Sequence, residues 1–318
     1  MMPDAYHFTR RCRDAVLRHV ARTLLLACST LVGCASQPAA VDTPPLGFTA
    51  DAGRSLTIGN LGAAQGVEVR NGRIYAYGDA DTGVIVELRL VDADPDRLVP
   101  TGRVLRLTRN GEDLLPHPTG LTHHPALGTW IGDTVNQNGT IYKIDWERAW
   151  RDGNLDHAVL HVVEDDAAVN GTRPEFVEYN GRWVIATSDY GDVGNEVRLY
   201  DPEALLRAER TSEPGVEIAA FPCGAFVQTL FWADAWNAVV LVQNQIAGRR
   251  WRLTPVAAWS ERAFAEAVSF DGITRPGELE GFHELKLRGA DDAAAVFVTA
   301  HGENNVWLGS AEMTPNAE

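Results

Sequence analysis

Gly66-Val67-Glu68-Val69, Gly120-Leu121-Thr122-His123, Glu175-Phe176-Val177-Glu178, Gln228-Thr229-Leu230-Phe231 and Gly281-Phe282-His283-Glu284 are five versions of one short, largely apolar segment. Counted from Val67, Leu121, Phe176, Leu230 and Phe282, they recur at steps of 54, 55, 54 and 52 residues. Spacing this regular marks a supersecondary unit repeated along the chain. Such a unit cannot bury its apolar faces alone, so it must stack on its neighbours.

Each landmark leads into a turn: Asn71-Gly72, the stretch 125–128, and Asn180-Gly181 in the first three units. Asparagine and glycine both tolerate positive φ, which a tight hairpin requires. A second strand is expected over 73–77, 129–131, 182–187, 238–242 and 295–299, and a third over 84–90, 140–144, 196–200, 250–253 and 305–308. Arg73-Ile74-Tyr75-Ala76-Tyr77 and Thr140-Ile141-Tyr142-Lys143-Ile144 show the period-two alternation of strands. The rest of each unit supplies an outer strand, as over 157–163. Four-stranded antiparallel units repeated around an axis make an all-β propeller, here with five blades. The fifth unit ends soon after Leu308, so its outer strand is expected from residues 53–58, the N-terminal strand closing the last blade and removing two exposed edges. A six-bladed ring is the alternative. It needs a hidden repeat within 201–224, which reads instead as a short helix over 202–209 followed by a loop and strand. Further short helices are expected over 146–150 and 259–267.

The chain ahead of the repeats reads differently. Arg10, Arg11, Arg13, Arg18 and Arg22 form a basic leader before an apolar stretch over 24–32. That stretch is shorter than the roughly 20 residues a membrane-crossing helix needs, and it reads as a signal peptide over 1–33. Leu31-Val32-Gly33-Cys34 resembles a bacterial lipobox. The resemblance implies that acyl groups on Cys34 anchor the protein to the lipid bilayer. Ala35 after the cysteine points to the outer membrane, with the domain facing the periplasm. Residues 34–46 are anchor and tether, and 47–318 a single propeller domain. Cys223 then has no cysteine to pair with, so packing and strand pairing must hold the fold in an oxidising compartment. The formal net charge of −15 disfavours nucleic acid and anionic headgroups. Cations, a small polar ligand or a protein partner remain compatible.

In a propeller blade, the start of the first strand and the end of the second lie at one end of their hairpin. The repeat therefore gathers His117, Arg173, Glu175, Gln228 and Glu280 with Asp133, Asp189, Asn244 and His301. Three chemistries suit them. Asp133, Glu175, Asp189 and Glu280 offer the oxygens that calcium takes, although no twelve-residue calcium loop is present. Glu175, Asp189, Glu280 and His301 are the residue types of acid–base or metal-assisted hydrolysis. His117, Arg173, Gln228 and Asn244, with Trp232 beside the Ala233-Asp234-Ala235 turn, suit binding of a small polar or carbohydrate-like ligand without turnover. A structural or protein-interaction scaffold is the remaining alternative, and aspartates at strand ends also cap turns. Neither a Gly-x-Ser-x-Gly elbow nor a His-Glu-x-x-His helix occurs.

The run from Gly120 to Pro125, with Thr129-Trp130-Ile131-Gly132-Asp133-Thr134 and the run from Gly139 to Asp145, resembles one blade of the gluconolactonase-like propeller superfamily. That resemblance implies six-bladed lactonases or esterases with a central calcium held by glutamate, asparagine and aspartate. The glutamate-glycine-proline opening of that group is absent, and Glu280-Gly281-Phe282 is its nearest echo. Taken whole, the chain resembles bacterial lipoproteins that carry a propeller domain.

Overall fold

The structure is a computed structural model that describes residues 47–91, 94–233, 238–246, 250–256, 278–285, 293–300 and 305–312. Residues 1–46 with Cys34, the expected helix over 259–267, and His301 lie outside the described residues. The chain folds as a five-bladed, all-β propeller. It begins with β1 (Gly47–Leu56). Blade one is β2 (Ala64–Arg70), β3 (Arg73–Asp79), β4 (Gly83–Val91) and β5 (Asp94–Arg106), followed by a ribbon of β6 (Thr108–Arg109) and β7 (Glu112–Asp113). Blade two is β8 (Pro118–His124), β9 (Gly128–Val135) and β10 (Asn138–Ile144), then helix α1 (Trp146–Asp152), then β11 (Val159–Asp165). Blade three is β12 (Glu175–Tyr179), β13 (Arg182–Ser188) and β14 (Glu196–Tyr200), then α2 (Pro202–Leu205), then β15 (Glu217–Pro222). Blade four shows β16 (Val227–Ala233), β17 (Ala238–Ile246) and β18 (Arg250–Val256) among the described residues. Blade five is β19 (Glu278–Leu285), β20 (Ala293–Ala300) and β21 (Val306–Glu312), with β1 as its outer strand.

The hairpins form where the turn chemistry places them. Asn71 and Gly72 take φ of 51° and 71°, and Asn180 and Gly181 take 52° and 73°. Both pairs sit in the left-handed region that a two-residue hairpin turn needs. The helices are local caps on the blade exits. Asp145 accepts the Arg148 N–H at the start of α1, and Gly153 ends it at φ 72°. Helix α2, capped by Asp201, is shorter than the 202–209 expected, because the chain leaves the helix in single turns at Arg207 and Ala208. Residues 201–224 therefore hold no sixth blade; they carry α2 and the outer strand β15.

The core follows from the stacking. Five apolar clusters are found among the described residues, and each lies between neighbouring blades. Ile85 and Leu105 meet Leu121 and Ile131; Trp130 and Ile141 meet Phe176 and Ile185; Val177 and Val184 meet Leu230 and Val239. Phe231 and Val240 meet Phe282 and Phe297, and Val296 and Val298 return to Ile74 and Val86. The ring is closed by both ends of the chain: Ser55 pairs with Trp307 and Leu56 with Val306. Asn305 clasps Ile58 in both directions, its Oδ1 accepting the Ile58 N–H at 2.8 Å and its Nδ2 donating to the Ile58 carbonyl at 3.0 Å.

Near the axis the innermost strands β2, β8, β12, β16 and β19 crowd together. A Cβ on Gly281 would sit 2.6 Å from Gly66 Cα, and one on Gly120 would sit 2.5 Å from Pro174 Cδ, so only glycine permits the approach. Four of these strands also share a bulge. The ladders skip Gln65, Thr119, Gln228 and Glu280, two residues before the landmark in each case. A bulge re-aims the unpaired residue and bends the strand. Blade three has Pro174 at that position.

Candidate functional site

The bulged residues sit at one end of the axis, the mouth, where first strands begin and second strands end. Several polar groups there seal their own blade. Asp79 Oδ1 accepts the Ala63 N–H at 3.0 Å, and Asp133 Oδ1 accepts the His117 N–H at 2.9 Å. Thr187 Oγ1 accepts the Arg173 N–H at 2.8 Å, and Gln243 Nε2 donates to the Ala225 carbonyl at 2.6 Å. These bonds satisfy the backbone of the segments that enter β2, β8, β12 and β16. Asp79 is shared further, with His117 Nδ1 at 2.9 Å, and this half-exposed pair forms part of the rim. Burial pushes the Asp133 carboxyl up to about 6.

Blade three supplies the mouth's cation. Arg173 is 95 % buried in the loop entering β12. Its Nη1 donates to the carbonyls of Asn170 at 3.3 Å and Ser188 at 3.5 Å, and its guanidinium lies 5.2 Å from the centre of the Tyr190 ring. Its Nε has no hydrogen-bond partner among the described residues. Burial lowers its pKa to about 10, opposed by the fields of Glu280, Tyr190 and Asp189, so it stays charged near neutrality. Tyr190 donates its hydroxyl to Asn244 Oδ1 at 3.4 Å. Asn244 Nδ2 and Ser188 Oγ, both fully buried, are likewise unpartnered. Beside them Phe226 takes φ of 55°, an outlier for an aromatic residue, held there by hydrogen bonds with Gly191 and Asn244. Its ring meets the Tyr190 ring edge-on, with centroids 5.7 Å apart.

Glu280 completes the mouth. Burial, then the charge of Glu278, pushes its carboxyl well above the usual range despite Arg173, and Gln228 hydrogen-bonds to it. Along the innermost strands lies a second carboxyl pair. Burial raises Glu175 to about 8, although Trp232 N–H donates to its Oε1 at 3.3 Å. Burial and the charge of Glu175 raise Glu68 well above its ordinary value, and His283 Nε2 lies 3.6 Å from Glu68 Oε2. Tyr77, packed against Gly66, is shifted upward by burial and by these two carboxylates.

The structure thus brings His117, Arg173, Gln228, Asn244 and Glu280 to the mouth. Glu175 reaches from blade three to the backbone of blade four. Asp189 is engaged on every side: Oδ1 accepts from Val169 N and Arg198 Nη1, each at 2.6 Å, and Oδ2 accepts from Glu196 N at 3.0 Å. The Trp232 ring lies toward the other end of β16, against Trp183 at 5.9 Å. Four residues separate it from Gln228, about 13 Å along a strand. Glu68, Tyr77 and Thr122, whose hydroxyl hydrogen-bonds to Glu175, were not singled out by the sequence as site residues. The signal for Glu68 was a carboxylate one position after the landmark, where the other units carry Thr122, Val177, Phe231 and His283. Among the described residues no three His, Cys, Asp or Glu side chains gather as a metal-holding set. Burial pushes the Cys223 thiol up to about 12, which keeps it protonated and unreactive.

No family model and no curated protein sequence matches the chain. Solved structures similar to it include the following three. An alpha-L-arabinofuranosidase from Podospora anserina, solved with cellotriose, has 12 % identity and a TM-score of 0.47, over 86 % of this chain and 98 % of that one. Hydrazine synthase from Kuenenia stuttgartiensis has 10 % identity and a TM-score of 0.36, over 88 % and 69 %. The PQQ-bound aldose sugar dehydrogenase from Streptomyces coelicolor has 12 % identity and a TM-score of 0.35, over 85 % and 95 %. The propeller assignment rests on the strand pairing of this chain itself, and these distant likenesses assign it no ligand.

Proposed function

We propose that this protein is a membrane-anchored periplasmic lipoprotein whose propeller binds a small polar, carbohydrate-like ligand at the mouth of its axis. One observation carries the binding reading: Arg173 Nε and Asn244 Nδ2, both buried and without a partner among the described residues, flank Tyr190, and Ser188, whose carbonyl takes the Arg173 Nη1 bond, leaves its own buried Oγ unpartnered as well. Buried polar atoms are nearly always paired, and an orphan costs about 1–3 kcal/mol. Three orphans in one strained, aromatic-lined network are what a site preformed for a polar guest requires. The test is a thermal-shift screen of monosaccharides, polyols and sugar acids against the wild type and Asn244→Leu. A ligand that raises the melting temperature of the wild type and not of the variant supports the reading; equal responses overturn it. The anchor is tested separately by labelling with an alkyne palmitate. Label lost in Cys34→Ser supports it, and label retained there refutes it.

Glu280 favours a second reading, a carboxylate-based hydrolase. Burial pushes the Glu280 carboxyl well above the usual range, the direction that suits a general acid. In that case Glu280→Gln would abolish turnover of a lactone or aryl glycoside while keeping its binding.

A further inference from the structure

Resting on the binding reading, we propose that the ligand carries a carboxylate, which lies against the Nε and Nη2 edge of the Arg173 guanidinium and takes further hydrogen bonds from Asn244 Nδ2 and Ser188 Oγ. The arginine has five N–H groups in a fixed fork. Its Nη1 is committed to the Asn170 and Ser188 carbonyls. Its Nε is without a partner among the described residues. The open side is the edge that grips a planar carboxylate through two parallel bonds. The other orphans have matching polarity: Asn244 Nδ2 can only donate, and Ser188 Oγ can donate. A set of donors around a buried cation is completed by an acceptor that bears negative charge, and no described carboxylate forms an ion pair with Arg173. The carboxylates nearby do not compete for it. Burial disfavours the charged form of Glu280, which is hydrogen-bonded by Gln228, and Asp79 is engaged by His117, Ala63 and Gln65. A phosphate dianion fits less well, because one arginine must neutralise it beside the carboxylates Asp79 and Glu278.

The experiment uses the full-length protein with 15N at arginine Nε. The Arg173 Nε–H signal is identified by its loss in Arg173→Lys. Sodium acetate, inorganic phosphate and glycerol are titrated separately at constant ionic strength. The expected result is a saturable shift of this signal with acetate, none with glycerol, and about tenfold weaker acetate binding in Asn244→Leu. A saturable shift with glycerol or phosphate but not acetate overturns the carboxylate and leaves the polar-ligand reading standing. No movement with any of the three overturns both.

Discussion

Arg198 and Arg173 are two buried arginines of the same blade, equally hidden from water and treated in opposite ways. Arg198 lies 2.6 Å from Asp189, 2.9 Å from Glu196 and 3.9 Å from Glu217. Burial works against its charge, but the Asp189 carboxylate more than offsets it and its pKa rises. Arg173 has two long bonds to carbonyls and an aromatic face, and its pKa falls. A saturated buried ion pair is architecture: it fixes the end of β13 to β14 and the 189–196 loop. A buried cation left incomplete is, on the proposed reading, what a ligand would complete. The contrast also separates the two acidic candidates that sequence spacing treated alike, since Asp189 belongs to the first region and Glu280 to the second.

The sharpest way to break this contrast is to remove each arginine in turn. Arg198→Leu strands Asp189 without its cation and should destabilise the fold by about 3–5 kcal/mol in urea denaturation. Arg173→Leu removes a charge with no ionic partner and should cost about 1 kcal/mol, chiefly from two carbonyls left bare, while abolishing ligand-induced stabilisation. Equal losses in the two variants would mean that both arginines are structural.

A pH series sharpens the same contrast from the acid side. Glu175 rises from an ordinary 4.5 to about 8 in the folded protein. Between those values the folded state holds a proton that the unfolded chain has released. Stability is therefore fully present below about pH 4.5, falls as pH climbs toward 8, and levels off above it. Glu175→Gln should flatten that decline in melting temperature, by up to the equivalent of one proton. A decline that survives unchanged in the variant would move the buried proton to another group. The smallest effect expected is that of calcium. With every oxygen of Asp189 already accepting hydrogen bonds, and with Arg173 and Arg198 nearby, millimolar calcium should leave the melting temperature unchanged. A clear rise would instead assign the mouth to a cation.

The fold was legible because a repeat fixes topology with few residues. Val67, Leu121, Phe176, Leu230 and Phe282 mark five inner strands, Asn71-Gly72 and Asn180-Gly181 mark hairpins, and the shortfall after Leu308 calls for an N-terminal strand to complete the ring. The site was legible in outline only. Spacing says which end of a blade a residue occupies, and this was enough for Arg173, Gln228, Asn244 and Glu280. It does not reveal a bulge, and a one-residue bulge decides whether Gln228 or Thr229 is left outside the ladder. Nor does it say how many partners a carboxylate already has: Asp189 and Glu280 look alike in sequence, and only the arrangement of Val169, Glu196 and Arg198 separates them. Trp232 lies a strand's length away from where its neighbours in sequence suggested, because turn and mouth are opposite ends of the same β-strand.

One consequence of the seam between β1 and β21 concerns where the molecule can be opened. The last blade is a patch made from both extremities, so the covalent order around the circle is partly a matter of convention. Joining Gly47 to Glu312, which already face each other across the seam, with a short linker and introducing new termini at the Asn180-Gly181 bend should yield a permutant with the same barrel of blades. In such a protein, what is now a non-covalent clasp between Asn305 and Ile58 would bridge a continuous backbone, and the blade it completes would mature early instead of waiting for the final strand to emerge.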